Sequence, residues 1–567
     1  MLTLVSRIVR GLAVSVVVAG LAACGGGKGD GGSSSSSAAS QSTGADATHG
    51  ALTLDLTGGA NRDVNHVWVT VGSVALHAQA SQAWSASDSS WTVLPLATPV
   101  VVDLAAVATS SNSDMTNVLS GVKVPVGTYA QIRFFLLPHD AALSSVARAN
   151  GLQYNAQVNY TDAGNVARTV PLELPQTELG WRVAGTFTFA AYSSSHYVAQ
   201  ADTGSGLVRF ASLDGIDRFT FKPSLRSYDT GTSGAILGFI DPASLCGGAS
   251  APAAPNCAQD VIVSAQRLSG DGLRHESVRR YKVDNSGGFT LYPLPPETSF
   301  DLVITGRRMR PMVIKNVSVD LTSSLSLVGW TTVGFYNPGQ MIVPQIVPGT
   351  TRTVNLSAAV SPTAGSLYWG QTADAAGKPY ELLNVALDPF TGLLAQNAEL
   401  PQGALRVATF ATSNAVLGFS DATPIEGADA LSVFTQGTAY DTVSSAAIVA
   451  PALGVASTVP VNAPTRPGSL GTGVIQVNLT GSLSAAYDVA QLVVSDINGI
   501  VATQTVSGNS ASFTVPAGTQ AAALGGTAVY TVSVRASSHT GAVSWVRAGT
   551  ALDLRGSAGA TVTLALP

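Results

Sequence analysis

Charged side chains are scarce in this chain. Lysine and arginine number 29 and aspartate and glutamate 34, so that 11% of the 567 residues carry charge, against about 25% in an ordinary soluble protein. The net charge of −5 leaves no basic footprint for phosphates, which excludes nucleic acid as an expected partner. Cysteine is nearly absent, with three residues, too few for a disulfide-dense scaffold. The seven histidines, at 49, 66, 77, 139, 196, 275 and 539, are scattered. His66 and His77 are expected to approach each other in a sheet, as satisfied or solvated side chains rather than zinc ligands. The chain contains no His-Glu-x-x-His, Gly-x-Ser-x-Gly, phosphate loop or Cys-x-x-Cys, so no catalytic residue, metal or cofactor is expected and the chain does not read as an enzyme. Asp214-Gly215-Ile216-Asp217 and the set Asp421, Glu426 and Asp429 lack the regular spacing of a calcium loop and read as solvated turns.

What is present begins with an export signal. Arg7 and Arg10 precede an apolar run from Gly11 to Gly20, shorter than the ~20 residues a spanning helix needs. Leu21-Ala22-Ala23-Cys24 then resembles the lipobox of bacterial lipoproteins. The resemblance implies cleavage after residue 23, a diacylglycerol on the Cys24 thiol and acylation of the new amine. Three acyl chains at ~0.8 kcal/mol per buried methylene make a stable membrane anchor. Gly25, in place of an aspartate, implies sorting to the outer membrane. Residues 24–50 are dominated by Gly, Ser and Ala, a tether with an expected coil reach of ~25–30 Å. Cys246 and Cys257 bracket a loop without apolar periodicity. In an exported chain they are expected to form a disulfide contributing ~2–3 kcal/mol.

Beyond the tether the periodicity is two. "HVWVTVGSVAL" sets Val67, Val69 and Val71 on one face and Trp68 and Thr70 on the other; "VYTVSVRA" alternates at Tyr530, Val532 and Val534. "TDAGN" separates two strand-like runs, and Asn498-Gly499 lies between two more, a strong hairpin signal. The one helical candidate is Ala141 to Asn150, with Asp140 as its cap. Proline–glycine turns recur at Pro125-Val126-Gly127, Pro401-Gln402-Gly403 and Pro516-Ala517-Gly518, each expected to adjoin a strand. The expected architecture is all-β, several β-sandwich domains in tandem. Residues 1–23 are the signal, 24–50 the tether, and the domains span 51–222, 234–360, 361–470 and 471–567.

Two segments carry family resemblances. The strand Val64 to Val74, Trp91, Asp103-Leu104 and "VPVGTYAQIRF" make Leu52 to about Phe221 similar to the bacterial lipoprotein domain of unknown function 4382. Where members often have Asp-Ala-Pro after the first strand, this chain has Thr57-Gly58-Gly59-Ala60. "GAILGFI", "VDNSGGFTLYPLPP" and "SFDLVITG" make Gly234 to Val319 resemble carboxypeptidase regulatory-like domains. That resemblance implies a prealbumin-like sandwich of the carbohydrate-binding-like fold. Residues 361–470 and 471–567 resemble no family.

Aromatic residues near loops are the remaining hint. Trp84, in "SQAWSASDSSW", and Tyr368-Trp369 are candidate ligand-binding residues, with Phe335-Tyr336 beside Gly and Pro. Aromatic faces on a rigid sheet stack on sugar rings, although burial is the commoner fate of such rings. The expectation is an outer-membrane-anchored, non-catalytic binding or structural module. Its membrane contact runs through the lipid, and its partner is a glycan or an envelope protein. Carbohydrate binding is the sharper alternative and an enzyme a distant one.

Overall fold

The computed structural model describes residues 44–107, 114–245, 261–296, 299–306, 309–319, 331–334, 340–345, 352–357, 365–371, 377–390, 398–400, 404–412, 416–422, 430–437, 443–449, 457–460, 462, 470–523 and 528–567. Cys24, Cys246, Cys257, Phe335, Tyr336, Glu426 and Asp429 lie outside them. Strands dominate every part of the described chain, and the sheets stack into successive β-sandwich units.

Twelve strands build the first unit: β1 (His49–Gly58), β2 (His66–His77), β3 (Thr92–Asp103), β4 (Met115–Pro125), β5 (Gly127–Leu136), β6 (Gln157–Thr161), β7 (Ala167–Glu173), β8 (Trp181–Phe189), β9 (Ser194–Ala201), β10 (Leu207–Phe210), β11 (Arg218–Phe221) and β12 (Leu225–Asp229). They run in the order β10-β11-β7-β6-β2-β5-β8-β12-β9-β1-β4, with β3 also on β2. Alternation explains the core: Leu52, Leu54 and Leu56 of β1 and Val67, Val69 and Val71 of β2 are buried. Trp68 is half-exposed on the other face. Thr70 departs from the pattern; it is buried because the Asn155 carbonyl covers it and accepts its hydroxyl at 2.7 Å. A bulge at Gly72 shifts the register of β2, so its first residues pair with β6 and its later ones with β5. One strand thereby serves two layers. Trp181, Phe134, Phe187, Phe189 and Phe221 fill the space between them.

In the second unit, Gly234–Phe239 lies between Gly288–Leu294 and Thr331–Val333. The opposing sheet runs His275–Lys282, Ile262–Leu268, Ser299–Thr305, Met312–Ser318. Arg406–Thr409, from the segment that follows, adds to it in parallel. The turn before Gly288–Leu294 needs its glycine: Gly287 has φ +84°, and a Cβ there would stand 2.0 Å from the Ile240 carbonyl oxygen. Phe289 and Leu291 both enter this core.

The third segment forms two small sheets, one around Arg352–Ser357 and one around Gly365–Gln371. In the last unit Thr472–Thr480 lies between Ser510–Pro516 and Gly559–Ala565. Facing it are Gly499–Thr505, Val489–Asp496, Val529–Ser537 and Val543–Arg547. Asn498-Gly499 makes the expected hairpin, with Gly499 at φ +120°.

Three local expectations change. The helix is shorter than Ala141 to Asn150, spanning Ser145–Ala149, and Ser144 caps it by accepting the Ala147 N–H at 3.2 Å. Asp140 is instead drawn to Arg547. Gly518, at φ +87°, adjoins the strand Ser510–Pro516 as expected, but it opens a second helix, Gly518–Ala523, that the sequence reading does not include. His66 and His77 do not approach each other. They sit at opposite ends of β2, where His66 bonds Asp103 at 2.7 Å and His77 bonds Ser90 at 2.9 Å.

Candidate functional site

The last sandwich folds back onto the first, and the seam between them holds the densest buried chemistry. Val170 and Leu172 of β7 point into the first core, so the intervening alternation turns Glu173 the other way, toward the last unit. There it is fully buried and grips Arg535, 3% exposed, in a two-pronged pair: Nε to Oε2 at 2.7 Å and Nη2 to Oε1 at 3.1 Å. Trp545 Nε1 donates to the same Oε2 at 3.0 Å. The guanidinium lies 5.2 Å from the Phe210 ring and 5.4 Å from that of Phe390, so three segments meet at one cation. At the rim Arg547 bonds Asp140 at 2.7 Å. His139 is buried next to this group, and burial holds its pKa below the ordinary histidine value.

Trp84 belongs to the same seam. Its ring lies 5.1 Å from Trp91, edge to face, and 4.5 Å from Phe135. Arg133 and Gln131, buried on β5, hold the Trp84 loop through the Gln82 carbonyl at 3.2 and 3.0 Å. Ala83 packs with Leu179, Ile497 and Val529, and Arg555 donates to the Ser81 carbonyl at 3.2 Å. The void lined by Trp84, Arg133, Ile497 and Val529 is about 10 Å³, room for one water and not for a sugar ring.

A second pair of ionisable groups, Lys222 and Asp496, lies under the Asn498-Gly499 hairpin. Gly499 sits so close that a Cβ would stand 3.3 Å from the Lys222 Cα. Asp496 is 1% exposed and accepts the Asn498 N–H at 2.7 Å. Burial pushes the Asp496 carboxyl up to about 7 and the Lys222 ammonium down to about 8. The signs are opposite. Folded Asp496 keeps a proton that the unfolded chain releases above the ordinary carboxyl value of 3.8, so its contribution to stability falls as pH rises from about 4 to about 7. Lys222, lowered from 10.5, weakens the fold as pH falls from about 10.5 to about 8. Asp496→Asn removes the first effect and, by deleting the carboxylate that raises the Lys222 pKa, deepens the second. Its melting temperature should gain on the parent's as pH rises from 4 to 7; a constant offset across that range would contradict this.

The second unit is tied in by the same chemistry. Arg279, 1% exposed in its side chain, bonds the Gly58 carbonyl at 2.8 Å and Asp114 at 2.6 Å. Arg280 bonds Asp202 at 3.0 Å and also Glu381, linking three segments. Guanidinium forks suit such joints because they satisfy two acceptors in fixed geometry.

The remaining candidates lie elsewhere. Tyr368 and Trp369 occupy the strand Gly365–Gln371, opposite Asn384 and Leu383; their side chains fall outside the described residues. Asp214 bonds Arg218 at 2.6 Å, Asp217 bonds Arg209, and Asp421 pairs with Arg310 at 3.1 Å. Among the described residues no cluster of three or more His, Cys, Asp or Glu could hold a metal ion. An open aromatic surface not singled out as a ligand site is the outer face of β2. His66 stacks on half-exposed Trp68 at 5.3 Å and 26°, and the Asp103 hydrogen bond raises its pKa. Asn159 of the adjoining β6, paired with His66, is part-exposed beside it, whereas Gln157, opposite Trp68, is buried. Period-two alternation marks Trp68 as outward-facing, the one sequence signal that points to this surface.

No curated protein matches the chain. Among solved structures, the Bacillus anthracis TIE protein is 7% identical, with 92% of this chain and 73% of that one covered and a TM-score of 0.14. A Streptococcal ancillary pilin is 9% identical over 59% of this chain and 99% of its own, with a TM-score of 0.11. Residues 49–223, the first sandwich with its seam residue Glu173, match the family described as "Domain of unknown function (DUF4382)".

Proposed function

We propose that this protein is an outer-membrane lipoprotein anchored through Cys24, whose tandem sandwiches form a non-catalytic structural or binding module of the cell envelope. One observation carries the non-catalytic reading. Glu173 with Arg535, and Arg280 with Asp202 and Glu381, saturate one another across domain seams. Groups held this way brace a scaffold and are not poised to exchange protons with a substrate. The charged start, short apolar run and lipobox-like Leu21–Cys24 support the anchor. Gly234 to Val319 is read as a carboxypeptidase regulatory-like domain, and its paired sheets suit a prealbumin-like sandwich. In the exported protein Cys246 and Cys257 are disulfide-bonded. The anchor is tested by Cys24→Ser, which should abolish palmitate incorporation and leave the precursor unprocessed. Unchanged incorporation overturns it.

Carbohydrate binding is kept as a second reading, because Trp68 presents a half-exposed ring beside the exposed His66 imidazole, with part-exposed Asn159 on the adjoining β6. A ring face with planar hydrogen-bonding groups beside it suits a pyranose.

A further inference from the structure

The first sandwich has two ends, and they differ. Gly58, at the far end of β1, is held by Arg279 of the second unit at 2.8 Å. His49, at the near end, lies about 30 Å away by strand rise, where no later unit is tied in by a hydrogen bond or ion pair among the described residues. At that near end the incoming chain threads between two turns. Asp46 accepts the Tyr192 N–H at 3.0 Å, and Thr48 accepts the Val126 N–H at 3.0 Å. Lys123 pairs with Asp46 at 3.0 Å, fixing the same cluster from β4. The two turns leave apolar side chains in the open: Tyr192 is 74% exposed and Val126 48%, with Ala190 and Ala191 exposed beside them. Tyr192 also holds φ +58°, an uncommon conformation for a bulky residue, and its ring projects beyond the turn.

From this arrangement we infer that the tip formed by Val126, Ala190, Ala191 and Tyr192 rests on the lipid surface into which Cys24 is anchored. The inference builds on the lipoprotein reading above, and chain geometry argues for it. Cys24 precedes Gly44 by twenty residues, a separation of about 25 Å for a Gly/Ser coil and no more than about 70 Å if fully extended. The chain reaches the body at this tip, so the lipid lies nearest to it, while the second unit is tied in at the opposite end through Arg279 and Gly58. A tyrosine with small apolar neighbours and a lysine–aspartate rim is the composition that settles at a headgroup boundary, where a ring is half wet. A protein partner would have to compete with a bilayer tethered within the span of the same chain.

The test uses N-acetylimidazole, an aqueous tyrosine reagent, with mass-spectrometric readout. The lipidated protein in phosphatidylethanolamine–phosphatidylglycerol vesicles is compared with the mature chain from residue 24 carrying Cys24→Ser, free of vesicles. Tyr192 should be acetylated about tenfold more slowly on vesicles, while Tyr487, in the last sandwich, changes less than twofold. Equal reactivity of Tyr192 in both samples overturns the tip contact. Palmitate labelling of the same preparation separates the two ideas. A labelled protein with reactive Tyr192 sinks the tip and spares the anchor. If Cys24 proves unlabelled, the Cys24→Ser chain in excess vesicles decides: protection of Tyr192 supports the tip, and none overturns it.

Discussion

Glu173→Ala is expected to destabilise the protein by about 3–5 kcal/mol, the usual cost of stranding one member of a buried ion pair. The Arg535 guanidinium is 3% exposed and its carboxylate partner fully buried, so the cation left behind cannot recover its hydration without opening the seam. Trp545 Nε1 would lose its acceptor as well, leaving a second unpaired donor. Loss should be concentrated in the docking of the last sandwich. In denaturant the unfolding transition of the last sandwich should move to a lower midpoint than in the parent, ahead of that of the first sandwich. Arg535→Met in the same chain as Glu173→Leu should recover most of the loss, because an apolar pair of similar volume removes both desolvation penalties. If the double variant is as unstable as the sum of the single ones, the pair is not the clamp described here.

Trp84→Ala is the second large effect. A fully buried tryptophan truncated to alanine costs roughly 3–5 kcal/mol. Trp84 is half-buried, yet it touches Trp91 and Phe135 and shares a void with Ile497 and Val529. A loss of about 2 kcal/mol follows, with the last sandwich again loosened. Glycan retention, if the chain shows any, should not move. Trp68→Ala should do the reverse: stability within about 1 kcal/mol of the parent and, under the sugar reading, a ten- to thirty-fold loss of affinity. Paired melting and glycan-binding measurements on the two variants decide between a seam residue and a ligand platform. A Trp84→Ala chain as stable as the parent would remove Trp84 from the seam.

Much of the fold is local and was therefore legible. Val67, Val69 and Val71, the strand–turn–strand around "TDAGN" and the Asn498-Gly499 hairpin each follow from side-chain alternation or from a turn that demands a particular backbone. The candidate site was not legible, because a strand has two faces and the sequence marks only one. In Val529–Ser537 the apolar positions Tyr530, Val532 and Val534 announce a core face, while Ser533 and Arg535 look solvated; the structure buries all nine residues. What meets Arg535 on the second face is Glu173 with the rings of Phe210 and Phe390, and Glu173 lies 362 residues from Arg535. Trp84 misleads for a related reason. Its small polar neighbours suggest an open loop, but Gln131 and Arg133 pin that loop down and the last sandwich closes over it.

The chain by itself determined that strands form, where they turn, and that few charges are available. Only the tertiary structure decided where those charges stand. Local preference acts over a few residues, whereas pairing an arginine with a carboxylate in a dry seam requires two sandwiches to meet in one orientation. Burial supplies the energetic reason, since a lone charge there is intolerable and a matched one specifies the partner face.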